Sequence, residues 1–122
     1  MTERPLRILI VEDEMLVAMN IEDMLLDLGH EVAGLASRLA PALQLAAEAE
    51  FDAAMLDVNL AGERSFPVAE LLEGRGIPYL FATGYGIAGI EERYRHAPVL
   101  QKPFRAADLR QALAAAVGTT AP

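Results

Sequence analysis

Glu12 and Asp13 follow the apolar run Leu6–Val11, and Asp57 follows the run Asp52–Leu56. Thr83 stands just past Pro78–Ala82, and Lys102 just past Pro98–Leu100. Three carboxylates, a hydroxyl and an ammonium thus sit at the ends of short hydrophobic stretches. If those stretches are neighbouring strands, the five side chains share one rim. Three carboxylates in one cleft repel one another unless a cation is present. With oxygen ligands alone the cation should be hard, Mg²⁺ or Mn²⁺. Mg²⁺ takes few carboxylates and leaves room for a phosphate oxygen. A divalent ion leaves the three acids at −1, and Lys102, the only lysine of the chain, brings the site to zero. A phosphoryl oxyanion could then enter without net repulsion. The plain alternative is that strand-end acids cap helices or face solvent. That suits any one of them alone and the full set poorly.

The elements that must position these residues are legible in outline. The chain has 122 residues, room for one domain with its own core. It is 53% hydrophobic and 23% charged, a globular balance. Its net charge of −8 argues against nucleic acid, which rewards cations that neutralise phosphates, and against anionic membrane surfaces. Cysteine is absent, so disulfides, thiol catalysis and cysteine-ligated zinc are excluded. The acid is concentrated in residues 1–61, where twelve carboxylates face three arginines. No apolar stretch approaches the roughly 20 residues of a membrane span. The opening MTERPLRILIVEDE has too short an apolar run for a signal peptide. The expectation is a cytoplasmic, monomeric single domain over 1–122, with its core at about 6–117, a small-residue tail after Gly118 and no output domain.

Short apolar runs alternate with helical periodicity. Strands are expected at Leu6–Val11, Glu31–Ala36, Asp52–Leu56, Pro78–Ala82 and Pro98–Leu100. Val17, Ile21, Met24, Leu25 and Leu28 form a helical stripe that Gly29 stops. Leu39, Leu43 and Ala46-Ala47 mark a helix to about Ala49. Ser65 can cap another, with Pro67 in its first turn, running to about Glu73 until Gly74 and Gly76 break it. A weak stripe in glycine-rich 83–97 predicts a short, mobile helix near Ile87–Tyr94. Leu109 to Val117 form the last helix. Five strand–helix alternations predict a parallel sheet with helices on both faces. The flavodoxin-like strand order 2-1-3-4-5 leads, with the ligand site at the switch between strands 1 and 3.

The remaining notable residues have plainer readings. His30 and His96 are expected to be solvated. Met15, Met19, Met24 and Met55 are expected in the core. Arg93, Arg95, Arg105 and Arg110 are either solvated charge or a partner face.

The ordered set Glu12-Asp13, Asp57, Thr83 and Lys102-Pro103-Phe104 resembles the receiver domain of two-component response regulators, the CheY-like family, over about Leu6–Val117. FATGYG (Phe81–Gly86), LDVNLAGERSFPVA (Leu56–Ala69) and VLQKPF (Val99–Phe104) resemble the FAT GUY subgroup of single-domain receivers. The resemblance implies a phosphoacceptor at Asp57. It implies Mg²⁺ held by Asp13, Asp57 and the backbone carbonyl of Asn59, with Glu12 reaching it through water. It assigns Lys102 and Thr83 to phosphoryl oxygens, makes the Lys102–Pro103 bond cis, and gives Asn59 and Tyr85 a part in tuning dephosphorylation. The implied partner is a histidine kinase, of the HWE or HisKA2 type, or a phosphotransfer protein. The implied chemistry is self-phosphorylation and dephosphorylation, not turnover of a substrate.

Two departures stand out. Receivers usually carry an aromatic switch three residues before the lysine, where this chain has Val99. Tyr85 or a rearrangement of Gly84–Gly89, with glycines at 84, 86 and 89, could replace it. The loop after Asp57 also lacks the common Met-Pro and carries Gly62 and Pro67. Two other classes stay open: a non-phosphorylated pseudo-receiver acting as an interaction module, and a phosphohydrolase with an aspartate nucleophile, since Asp57-Val58-Asn59 mimics part of an Asp-x-Asp motif. A flavodoxin is disfavoured because no phosphate loop follows strand 1.

Overall fold

The computed structural model describes residues 4–118, so the tail after Gly118 lies outside the described residues. Five parallel strands form one sheet: β1 (Arg7–Val11), β2 (Glu31–Ala36), β3 (Ala53–Asp57), β4 (Tyr79–Thr83) and β5 (Val99–Gln101). Their order is β2-β1-β3-β4-β5, the flavodoxin-like arrangement expected from the alternation. Three helices connect strands, α1 (Met15–Asp27), α2 (Leu39–Glu48) and α3 (Phe66–Arg75), and α4 (Ala106–Gly118) follows β5. Among the described residues no helix is long and apolar enough to cross a membrane.

The strands alternate their side chains between two cores, as the pleat requires. Leu9, Val11, Ala54, Leu56 and Phe81 pack beneath α2 and α3. Ile8, Ile10, Met55, Leu80 and Leu100 pack beneath α1 and α4. Burial on both faces explains why these strands read as continuous apolar runs. The parallel registers Val11↔Leu56 and Asp57↔Ala82 bring the carboxyl ends of β1, β3 and β4 to one edge.

Several details differ from expectation. The segment 83–97 holds no α-helix. It forms two 3₁₀ turns, Gly86–Gly89 and Glu92–Tyr94, with Ile90 extended between them. Three glycines and only two large buried side chains, Ile90 and Tyr94, give an α-helix too little face to bury. Helix α3 continues through Gly74 and ends at Gly76, which is left-handed at φ +72°. Gly74 is tolerated because the solvated side of a helix needs no side chain. A methyl at Gly76 meets no atom within 4 Å, so its penalty is backbone strain alone. Gly76→Ala is expected to lower stability by about 1 kcal/mol, read as a lower urea midpoint with an unchanged slope.

Ser65 precedes α3 but its side chain makes no cap bond. Its Oγ is buried without a hydrogen-bond partner. His30 is buried, not solvated, and its Nδ1 accepts the Leu6 N–H at 3.0 Å. The turn after Gly29 folds it back onto the start of β1, a contact that sequence spacing does not show. His96 is exposed as expected, yet its Nε2 lies 3.0 Å from Glu73. Met55 is core, but Met15 and Met19 are more than half exposed. They fall on the outer face of α1, where the stripe of Ala18, Ile21 and Leu25 already fills the inner one. Of the arginines weighed as a partner face, Arg93 lies over the Tyr94 ring and Arg95 donates to the Ile90 carbonyl.

Candidate functional site

The site forms where β1, β3, β4 and β5 end. Carboxylate oxygens of Glu12, Asp13 and Asp57 lie within 4.8 Å of one another. Glu12 is buried, and its two oxygens are both used. Oε1 accepts the Lys102 ammonium at 2.8 Å, and Oε2 accepts the Glu14 N–H at 3.2 Å. Lys102 also lies 3.4 Å from Asp57 Oδ2. The ammonium therefore bridges the first and third strands from the end of the fifth.

The electrostatics follow from this crowding. Burial and the neighbouring Glu12 charge push the Asp57 carboxyl up to about 7, with Lys102 opposing them. Burial would lower Lys102, but the hydrogen bond to Glu12 and the charges of Asp57 and Glu12 outweigh it and hold the ammonium above its ordinary value. Burial would raise Asp13, yet hydrogen bonds, the Ala61 N–H foremost, hold it below the usual carboxylate value. This all-oxygen donor set fits a divalent cation. Asp13 is ionised and open to solvent at the rim, and Asp57 lacks a full counter-charge.

Thr83 is buried at the end of β4, and its Oγ1 accepts the Tyr85 N–H at 3.1 Å. The Lys102 N–H donates to the Thr83 carbonyl at 2.9 Å, so the sheet's own ladder fixes these two residues side by side. The Lys102–Pro103 bond is cis, as expected. Tyr85 points outward, 80% exposed. Val99 is half-buried on β5 and supplies no ring.

One part of the site went unread in the sequence. Residues 59–64 form a two-residue hairpin, Asn59↔Arg64 and Leu60↔Glu63. Its turn, Ala61-Gly62, has φ +51° and +90°, the paired positive values of a type I′ turn. The signal was the glycine after a small residue, weak without the usual asparagine and with a charged pair, Glu63-Arg64, on its far side. Asp13 Oδ2 accepts the Ala61 N–H at 2.9 Å and ties the hairpin to the acidic cluster. The Ser65 N–H donates to the Val58 carbonyl. By the alternation of an antiparallel ladder, Asn59↔Arg64 is then the pair whose carbonyls turn outward. The Asn59 carbonyl is thus left out of the hairpin's own bonding. Beside the site, a groove of about 570 Å³ runs between α1 and the end of β5, lined by Leu16, Val17, Lys102 and Phe104 among others.

The response regulator receiver domain family matches the chain over residues 8–114. The solution structure of SdrG from Sphingomonas melonis Fr1 aligns with a TM-score of 0.84 and 47% identity, over 93% of this chain and 97% of that one. The phyllosphere-induced regulator PhyR of Methylorubrum extorquens is 34% identical over 114 residues, 90% of this chain and 43% of PhyR. The transcriptional regulatory protein PdtaR of Mycobacterium tuberculosis is 33% identical over 117 residues, 93% of this chain and 57% of PdtaR. The chain spans about half the length of these curated relatives.

Proposed function

We propose, from the premise that this chain belongs to the response regulator receiver domain family, that it accepts a phosphoryl group on Asp57 from a phosphohistidine donor. The family is one of signalling regulators, and the curated relatives are named as regulators. The observation that carries the phosphoacceptor reading is the Glu12, Asp13, Asp57 and Lys102 constellation. A pseudo-receiver has no need to keep three acids and one lysine converging at such electrostatic expense. A phosphohydrolase of the Asp-x-Asp kind lacks its second acid, since Asn59 stands there.

The chain's residues divide the work. An Asp57 carboxylate oxygen attacks phosphorus in line as the donor's P–N bond breaks, and the imidazole leaves. Asp13, Asp57 and the outward Asn59 carbonyl are the oxygens that would hold Mg²⁺, with Glu12 behind them. The bound ion supplies charge neutralisation for the phosphoryl oxygens. Lys102 offers a point charge to one phosphoryl oxygen. Thr83 can turn its hydroxyl from accepting the Tyr85 N–H to donating to another. Asn59 and Tyr85, each two residues past a site residue, tune access of the hydrolytic water and with it the lifetime of the phosphorylated state. Exposed Leu16 lines the groove beside Lys102 and offers a donor protein an apolar footing. We assign the chain to a cytoplasmic receiver of the FAT GUY kind, monomeric, served by an HWE or HisKA2 histidine kinase or a phosphotransfer protein. It signals by protein contact or drains phosphate from the relay.

Intact mass after incubation with acetyl phosphate tests the reading. One phosphoryl adduct is expected with Mg²⁺, none without it, and none in Asp57→Ala. No adduct under any condition would favour the interaction module, and sustained phosphate release would favour the hydrolase.

A further inference from the structure

The hairpin that Asp13 holds also reaches the far side of the glycine-rich segment. The Arg64 guanidinium donates through Nη1 to the Gly89 carbonyl at 2.9 Å. Gly89 closes the 3₁₀ turn that begins at Gly86. The other end of this stretch starts at Thr83, whose hydroxyl accepts the Tyr85 N–H. Residues 84–89 are therefore held at both ends. One end belongs to the site directly, and the other reaches it through the hairpin.

We propose that Arg64 is a positioning residue that couples the acidic cluster to the conformation of residues 84–89. The inference rests on the phosphoacceptor reading and adds a route that needs no ring at Val99. Asn59 and Arg64 face each other across the ladder, in the class of pair whose backbones approach most closely. A two-residue turn leaves the hairpin little freedom to shear. Any pull on the Asn59 carbonyl, or any loss of the Asp13–Ala61 bond, moves Arg64 with it. The guanidinium also lies 6.0 Å from the Phe66 ring centroid, at the outer edge of a cation–π contact. Tyr94 stacks on Phe66 at 5.3 Å with the rings 5° apart, so the second 3₁₀ turn is anchored in the core and the first is free to answer alone. Ser65, next to Arg64, keeps its buried Oγ unpartnered.

The test is amide hydrogen exchange on the full chain, metal-free and with Mg²⁺ and beryllofluoride. It compares wild type, Arg64→Ala and Arg64→Lys. The Ile90 N–H, which donates to the Ile87 carbonyl, is the reporter, and Ala61 is the control. In the metal-free protein, Arg64→Ala should speed exchange at Ile90 by about tenfold, as local opening becomes easier. Arg64→Lys should fall between. On adding Mg²⁺ and beryllofluoride, Ala61 should respond in all three proteins, whereas the response at 87–90 should fall by more than half in Arg64→Ala. Metal-free exchange at Ile90 within about twofold of wild type in Arg64→Ala overturns the tether. A full response at 87–90 in that variant overturns the coupling. A wild type that forms the acetyl phosphate adduct yet shows no change at 87–90 overturns the coupling alone. A wild type without an adduct overturns it together with the phosphoacceptor reading.

Discussion

Lys102→Met is expected to destabilise the metal-free protein by about 3 kcal/mol, because removing one partner of a buried pair leaves an uncompensated charge. That charge is the Glu12 carboxylate, whose side chain is 1% exposed. The same change removes the cation nearest Asp57. The loss should appear as a fall in melting temperature of about 10 °C or more, given the usual scaling for a domain near 100 residues. Saturating Mg²⁺ should recover part of it, since a divalent ion supplies the missing positive charge. The pH dependence has a definite sign. Lys102 is raised above its ordinary value in the folded state, so its contribution is present below about pH 10.5 and is lost as pH rises through the folded value. The gap between variant and wild type should therefore be flat between about pH 8 and 10 and close above that. A gap that persists unchanged at pH 12, in thermal melts of the two proteins, would show that packing of the lysine stem carries the effect. Phosphorylation by acetyl phosphate should slow by about 100-fold, the usual loss when one aimed charge is taken from a reacting oxyanion.

Asp57→Asn should act in the opposite direction. The Asp57 carboxyl is pushed up to about 7 from its ordinary 3.8. The folded state thus binds this proton more tightly than the unfolded chain does. Stability falls as pH rises from about 4 to 7, and the full penalty stands above that. Asparagine removes the charge and keeps the shape. At pH 8 without metal the variant should be more stable than wild type by about 1–2 kcal/mol, a figure discounted for the site's partial access to solvent. Near pH 4 the two should melt together. Mg²⁺ should raise the melting temperature of wild type by more than that of the variant, because linkage rewards the state that binds. If the variant melts lower than wild type at pH 8 in chelator, the crowding of charge at Asp57 is not the governing term.

Much of this was readable because the site belongs to the ends of buried strands. Runs such as LRILIV and PYLFA announce parallel strands by composition alone. Glu12, Asp13, Asp57, Thr83 and Lys102 are then placed by topology, whatever the loops do. The parts that were misread depend on contacts between distant residues. His30 is buried because the chain turns back onto Leu6, and Met15 is exposed because Ala18 and Ile21 already face the core. The helix expected at Ile87–Tyr94 had the right apolar spacing, but Tyr94 is drawn onto Phe66 while Gly89 is drawn toward Arg64. The two pulls break the stretch into separate turns. The hairpin at 59–64 is not legible in the sequence, since Ala61-Gly62 lacks the asparagine or aspartate that usually signals a type I′ turn. Ala61 holds its left-handed conformation with help from the Asp13 carboxylate, 48 residues away.

Three of the six residues from Gly84 to Gly89 are glycine. Fixing a glycine takes away more conformational entropy than fixing any other residue, about 0.5–1 kcal/mol more than alanine. A stretch so composed is inexpensive to release and demanding to order. Its balance is therefore set in part by heat, not by chemistry at Asp57 alone. Warming favours the looser arrangement and cooling the tighter one, so the fraction of ordered segment shifts with temperature even when the state of Asp57 is held fixed.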